Sequence, residues 1–549
     1  MFSPTFPPER VLADMRIIRI GEASAAETSP DVVGAKAANL ARIAALGLPV
    51  PPAFVLPIEF CAAIARGDAA ARKDLVDGLE EGMKFLERAS GRIFGDRRQP
   101  LLVSVRSGAA RSLPGMLDTV LDVGCTPAAV RGLVRMTGNP SFAHDCRCRF
   151  LESYGTTVLG IADAAFVERR DQLVAAEGIG SGQALDCEAL EQLAASYEAL
   201  IEREDNAIPE DPMDQLAAAA EAVYRSWGSA RARTYRQIEH LEFLQGTAVT
   251  VQAMVFGNNG VASGAGVAFS RNPSTGGAEP VIEVLFESQG EDVVSGRRTP
   301  QTEDAIARSL PAVAEQLRAA LKRLEQEFGD VQDVEFTIEN GSLWFLQTRS
   351  AKRTKQAAVC IAIDLVREGC IAPAEALRRL NGVDLKSLVH ERLTEVGPPA
   401  ARGIGASIGI AVGRATFDAD SATRLAKSGD PVILVRPNIS TSDVAGFAAC
   451  AGIVTSVGGR TAHAALVARQ MGKPCIVGCT DLAVDAVQGS CRIGTNAVNE
   501  GDWLSIDGGT GSVYVGRGEI AADQPAFDRE EIACWRRQAA AVTAERSTA

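Results

Sequence analysis

Histidine is scarce. The 549 residues include four, His144, His240, His390 and His463, so any imidazole chemistry has four candidates. No run approaches the roughly 20 uninterrupted apolar residues that a membrane-spanning helix needs. The opening MFSPTFPPERVLADMRIIRI lacks a basic stretch leading into a long apolar core, so a secretory signal is not expected. Basic residues are in deficit: 56 Lys and Arg against 69 Asp and Glu, a net charge of −13. That balance disfavours a nonspecific grip on nucleic acid or on an anionic membrane, although it leaves room for a local basic pocket. Twelve cysteines are scattered. The nearest sets, Cys146/Cys148 and Cys475/Cys479, have no second pair at zinc-like spacing, which predicts reduced packing thiols and a cytoplasmic protein. No internal repeat is apparent.

What remains is a composition of 46% hydrophobic and 23% charged residues, which suits globular domains. The length fits roughly three or four of them. A strand-like run at 15–20 precedes VGAKAANLARIAALG, where Leu40, Ile43 and Ala44 share a helical face that Gly47 ends. LLVSVRSGA is a β-rich run closing in a polar turn. Residues 126–245 read as mainly helical, broken by the loop EGIGSGQALD. Strands return at 247–290, a helix follows over 302–328, and VQDVEFTIENGSLWFLQTRS predicts a hairpin turning at Glu339-Asn340-Gly341. Residues 353–396 read as a charged helical arm. From 400 to 515 short strands alternate with Gly-rich turns and one clear helix. The segment 516–549 reads as a linker with a helix from Arg529 to Ala541.

Several residues carry phosphate-handling chemistry. Arg106 stands beside Ser107-Gly108, where flexible backbone can approach an anion. Lys36 lies near a helix start, which the helix dipole disfavours unless the cation serves a ligand. Asp333 and Glu335 share one strand face; Gln347 and Arg349 share a face of the partner strand. Together they suit magnesium, which takes a few carboxylate oxygens plus substrate phosphates, and a guanidinium facing a transferred phosphoryl group. A solvated hairpin face with cross-strand ion pairs would read the same way. SGAGVAFSRNPSTGG fits a loop over a triphosphate or a tight hairpin equally well. In IVTSVGGRTAHAALVARQMGKPCIVG, Gly458-Gly459 leads to Thr461, which can cap a helix over 462–471. His463 then falls in the first turn, where free N–H groups and the positive helix end favour a phosphorylated imidazole. Near-neutral basicity makes that imidazole a competent nucleophile. His144, His240 and His390 belong to no such loop and are expected to be structural.

The blocks VGAKAANL, PLLVSVRSGAARSLPGMLDTVL, VQAMVFGNNG, SGAGVAFSRNPSTG, QGEDVVSGRRTPQ and DVEFTIENGSLWFLQTRSAKRT resemble the pyruvate, phosphate dikinase family, in order and spacing, over nearly the whole chain. The GGRTAH block resembles the phosphohistidine motif of phosphoenolpyruvate-utilising enzymes. The resemblance implies a multidomain α/β and α+β protein: an ATP-grasp-like nucleotide-binding region over 1–352 whose two lobes close over ATP, the arm at 353–396, and a swivelling β/α phosphohistidine domain at 397–515. Carried over block by block, Lys36 and Arg106 would contact ATP phosphates, and Arg149 of CRCRF the γ-phosphate or inorganic phosphate. Gln252, Glu283 and Glu291 would line the nucleotide site, with Ser274 in the polar loop around the phosphates. Asp333, Glu335 and Gln347 would coordinate Mg2+ and phosphates, Arg349 would bridge charge developing in transfer, and Gly459 and Thr461 would frame His463.

Two departures stand out. The family's SGTG reads Ser263-Gly264-Ala265-Gly266, which removes a hydroxyl, and its GGMTSH reads GGRTAH, with Arg460 closer to pyruvate, water dikinases. The family's pyruvate-binding (β/α)₈ barrel needs about 250 residues, whereas only positions 517–549 follow SIDGGTGSVYVG. The expectation is therefore the first half-reaction: ATP and phosphate giving AMP, pyrophosphate and phosphohistidine, with pyruvate handled on a separate barrel subunit. The alternatives are another acceptor, water or a small molecule, or a degenerate ATP-binding scaffold. Neither nucleic acid nor membrane is expected as a partner; a homo-oligomer is compatible.

Overall fold

The computed structural model describes every residue except 1–16, 22–28, 112, 114–115, 179–184, 205, 295–297, 386–389, 439–443, 461, 486–488, 524–528 and 548–549. The protein is a multidomain α/β molecule with two compact units. One runs to Val255 and includes Trp344–Gln347; the other comprises Phe256–Leu343 and the residues from Thr348 onward.

In the first unit, five antiparallel strands lie in the order Ile18–Ile20, Ala53–Leu56, Ala248–Ala253, Val103–Gly108, Thr119–Val123. Six helices fall within 126–245: Pro127–Thr137, Pro140–Thr157, Asp163–Ala176, Cys187–Arg203, Pro212–Ser226 and Ala230–Ile238. Their starts are written locally. Thr126, Asn139, Asp186, Asp211 and Ser229 each accept a first-turn N–H, and proline follows three of them at the first helical position, where its missing donor costs nothing. The EGIGSGQALD loop lies largely outside the described residues.

The second unit opens with a five-stranded sheet, Gln301–Thr302, Val281–Phe286, Gly264–Phe269, Gln332–Glu339, Ser342–Ser350. Asn340 (φ 48°) and Gly341 (φ 77°) form the expected hairpin turn, since a two-residue turn of this hand needs two positive φ values. GAGVAF is a fully buried central strand of this sheet rather than a loop. Ala265 packs with Val267, Leu285 and Val293 in an apolar cluster, so its side chain belongs to the core.

Beyond the arm helices Lys355–Arg367 and Pro373–Arg379, the chain forms a strand, His390–Thr394, paired with Glu519–Asp523. The helix Arg529–Ser547 places Ile532 and Trp535 in one cluster with Val359, Ile363 and Leu380 of the arm segment. Between them lies an eight-stranded mixed sheet with a parallel core of Ile410–Thr416, Val432–Arg436, Gly452–Thr455 and Cys475–Val477. The crossovers carry three helices, Ala419–Lys427, Val444–Ala449 and His463–Met471, where the sequence pattern suggests one. Val432 and Leu434 enter one core and Ile433 and Val435 the other, because a sheet covered on both faces buries alternate residues on opposite sides. Cys475 and Cys479 are fully buried, and every cysteine among the described residues is unpaired. No helix among them is long and apolar enough to cross a membrane.

Candidate active site

In the first unit, the helix Pro30–Ala45 is interrupted at Gly34 (φ 81°, ψ 154°). A Cβ at Gly34 would lie 2.1 Å from the Gly108 carbonyl oxygen, so only glycine allows the helix to rest on the end of the Val103–Gly108 strand. The Ala35 N–H donates to the Ala109 carbonyl at 2.9 Å. That docking carries Lys36 to Arg106, seventy positions away, and both line a pocket with Ala37, Leu40, Ser107, Thr250, Gln252, Leu346 and Gln347. Four residues named from the sequence, Lys36, Arg106, Gln252 and Gln347, thus converge. Thr250 was not named, yet it pairs directly with Arg106 across the sheet, and its buried hydroxyl oxygen has no hydrogen-bond partner among the described residues. Its position two residues before Gln252 on one strand is the signal that finds it, because residues i and i+2 share a face. Gln252 is buried and donates to the Pro51 carbonyl at 3.1 Å. Two cations and several amide and hydroxyl groups in one cavity suit a polyphosphate.

In the second unit, Glu283, Val267 and Glu335 sit opposite one another on three adjacent strands, so the two carboxylates flank Val267 on one face. Asp333, two positions before Glu335, accepts from Arg349 Nε at 2.8 Å. Asp333 is buried, and its Oδ1 has no partner among the described residues. Burial holds its carboxyl above the usual range, and the Arg349 guanidinium offsets that only in part. An orphaned buried carboxylate oxygen with a second carboxylate on the same face fits a hard divalent cation. No group of three or more His, Cys, Asp or Glu among the described residues is set to hold a metal alone.

The helix carrying the candidate nucleophile begins at His463, with Ala462 at its cap position and no side chain closing the first turn. Thr461, expected to cap it, lies outside the described residues. The preceding loop is held firmly: the Arg460 N–H donates to Glu283 Oε1 at 2.6 Å. A Cβ on Gly459 would lie 2.6 Å from Glu283 Oε2 and 2.4 Å from Pro300 Cγ. The Arg460 side chain turns back to the Gly405 carbonyl at 3.1 Å, a bond internal to the eight-stranded domain. Ser274 is buried with its hydroxyl donating to the Ala406 carbonyl at 3.0 Å.

Two named residues, Arg149 and Glu291, do not line the Lys36 pocket. Arg149, in the Pro140–Thr157 helix, pairs with Asp145 at 2.9 Å and does not line the Lys36 pocket. Glu291 lies in the short helical turn Gly290–Val294. One residue escaped the sequence reading altogether. Arg469, on the helix begun by His463, is 2% exposed and faces the charges of Asp333 and Glu283, while burial pushes its pKa down to about 10.

Residues 67–313 and 308–369 match the family model for the pyruvate phosphate dikinase AMP/ATP-binding domain, and residues 428–511 match that for the mobile domain of PEP-utilising enzymes. Among curated proteins, the chain is 40% identical over 511 residues to pyruvate, phosphate dikinase of Clostridium symbiosum, covering 92% of this chain and 58% of the relative. Against pyruvate, phosphate dikinase 1, chloroplastic, of Arabidopsis thaliana it is 39% identical over 542 residues, covering 97% and 56%. Against pyruvate, phosphate dikinase 2 of Zea mays it is 39% identical over 522 residues, covering 94% and 59%. The chain therefore spans somewhat over half the length of these relatives.

Proposed function

The chain belongs to the pyruvate, phosphate dikinase family, and we propose that it is a phosphotransferase that phosphorylates its own His463 from ATP in the presence of inorganic phosphate. The observation that carries this reading is the pocket uniting Lys36, Arg106, Gln252 and Gln347 with the partnerless Thr250 hydroxyl, an environment made for phosphate oxygens and shared with a chain that also bears a helix-start histidine. In this reading residues 1–352 form the ATP-grasp region, with Arg149, Ser274 and Glu291 contributing to phosphate or nucleotide contacts, and 397–515 form the swivelling phosphohistidine domain beyond the 353–396 arm.

The neutral imidazole of His463 attacks the β-phosphorus. The bond from that phosphorus to the α,β-bridging oxygen breaks, and AMP leaves. An oxygen of inorganic phosphate then attacks the γ-phosphorus, the β,γ bond breaks, and pyrophosphate departs from phosphohistidine. Lys36 and Arg106 bind and neutralise the phosphates, Arg349 faces charge that develops in transfer, and the open N–H groups of the first helical turn stabilise the phosphorylated imidazole. Asp333 and Glu335 would hold Mg2+, which supplies further charge neutralisation at the phosphates when bound.

Passage of the phosphoryl group to pyruvate on a separate barrel subunit, in the cytoplasm, completes the proposal. A second reading, transfer without phosphate, is favoured by Arg460 in the histidine motif. Incubation with β-³²P-ATP decides. Acid-labile, alkali-stable label that requires phosphate and vanishes in His463→Ala supports the main reading, and label indifferent to phosphate supports the second. Tight ATP binding with no label in any condition refutes both. Release of label as phosphoenolpyruvate on adding pyruvate and a candidate barrel protein tests the acceptor.

A further inference from the structure

Among the described residues Arg469 is a buried cation without a carboxylate in contact, an arrangement that costs stability unless its donors are satisfied; its Nε has no partner there, and its two terminal nitrogens do. Its Nη1 donates to the Ala406 carbonyl at 2.9 Å and its Nη2 to the Arg460 carbonyl at 2.7 Å. Its guanidinium carbon lies 5.5 Å from the centre of the Phe269 ring, within the range of a favourable cation–π contact. Phe269 belongs to the same strand face as Asp333, its direct cross-strand neighbour. Both residues whose carbonyls Arg469 grips are also bonded to the 256–352 segment. Arg460 is held on both sides, its N–H by Glu283 and its carbonyl by Arg469. Ala406 accepts from Arg469 and from the Ser274 hydroxyl alike. Simple core packing would be served as well by an apolar side chain of similar volume. A guanidinium spanning two carbonyls beside a carboxylate-bearing sheet instead fixes the chain at Arg460, three positions before His463.

We propose that Arg469 is a positioning residue for the phosphoryl transfer, holding the histidine-bearing loop of the mobile domain against the Glu283–Asp333 face. The inference rests on the reading of His463 as the phosphorylated group, but its geometry has a readout of its own. Hydrogen exchange of the Arg460 amide in the full chain reports whether the loop stays seated on Glu283, and label from β-³²P-ATP reports the consequence.

In Arg469→Met the Arg460 amide should exchange about tenfold to a hundredfold faster, as expected for losing hydrogen bonds from a charged group. Single-turnover labelling should fall about a hundredfold, the scale of a small misplacement of reacting groups, while ATP affinity stays at the wild-type value. Arg469→Lys, which keeps the charge but not the fork across two carbonyls, should recover part of both. Unchanged exchange, or full-rate labelling in a folded Arg469→Met protein, overturns the proposal. If Arg469→Met does not fold, wild-type exchange and labelling in Arg469→Lys overturn it, and loss of both supports it. If wild type takes no label, the phosphohistidine reading fails, and the exchange comparison alone decides whether Arg469 holds the loop.

Discussion

The Glu283 carboxylate receives the Arg460 N–H at 2.6 Å while its other oxygen stands where a Cβ on Gly459 would have to be. A residue expected at the nucleotide site thus seats the loop before His463, and Gly459 is required by close approach. Gly459→Ala should push the loop off Glu283 and Pro300. Labelling of His463 from ATP should drop by about a hundredfold, since a displacement near 1 Å has that scale, with ATP affinity unchanged by equilibrium dialysis. Labelling at the wild-type rate would show that the contact is incidental to transfer.

The pocket of the first unit makes a separate claim. Lys36→Met and Arg106→Met each remove a cation from its lining, so each should weaken ATP binding by about tenfold to a hundredfold, the range for hydrogen bonds to charged groups. Thr250→Val removes only the buried hydroxyl that lacks a partner among the described residues. It should leave thermal stability unchanged or slightly raised and still lower ATP affinity. Titration calorimetry on the three variants checks this, and a Thr250→Val protein that binds ATP as wild type does would assign that hydroxyl no ligand.

The sequence made some of this plain and hid the rest for identifiable reasons. The 332–350 hairpin, the helix at Lys36 and the strand at Arg106 follow from local periodicity and turn residues. Thr250 was readable from the period of its strand. Arg469 was not, because its partners are backbone carbonyls of residues 406 and 460, and a carbonyl leaves no residue-type signature at any spacing. The stretch around Ala265 fitted a phosphate loop or a hairpin strand equally well, and it is a buried strand; alternating glycines leave both open when read alone. Gly266 permits the close approach there, since a Cβ would lie 2.3 Å from Phe336 Cζ. The helices Ala419–Lys427 and Val444–Ala449 were missed because each is short, and the packing of a covered sheet outweighs weak helix propensity in so few residues.

Metal dependence carries a pH signature. Burial raises the Asp333 pKa above the ordinary carboxylate range, so the group keeps its proton further into mild acid than an exposed aspartate does. A protonated carboxyl is a poor magnesium ligand, and metal uptake must release that proton. Magnesium with ATP should therefore raise the melting temperature more at about pH 7.5 than at about pH 5.5, the direction set by linkage. In Asp333→Asn the gain should be small at both pH values. EDTA should abolish labelling of wild type, and added Mg2+ should restore it. An equal gain at both pH values would remove Asp333 from the metal site.

Arg271 offers a test of what anchors the arm. Its Nε and Nη2 donate to Glu325 Oε1 at 2.9 and 2.7 Å, and Nη2 also reaches Glu368 at 2.5 Å. Glu325 takes a third bond from the Ser270 hydroxyl at 2.6 Å. Both Arg271 and Glu325 are buried, whereas Glu368 caps the arm helix Lys355–Arg367 at its C-terminal end. Arg271→Met would leave Glu325 as a buried charge without its counter-ion, which costs about 3–5 kcal/mol. Adding Glu325→Gln removes that charge while keeping an acceptor for Ser270. The double variant should therefore be more stable than Arg271→Met alone, although each substitution by itself destabilises. Urea unfolding of the four proteins of this cycle measures the coupling. Simple additivity of the two losses would mean that the Arg271–Glu325 pair carries no coupling of its own.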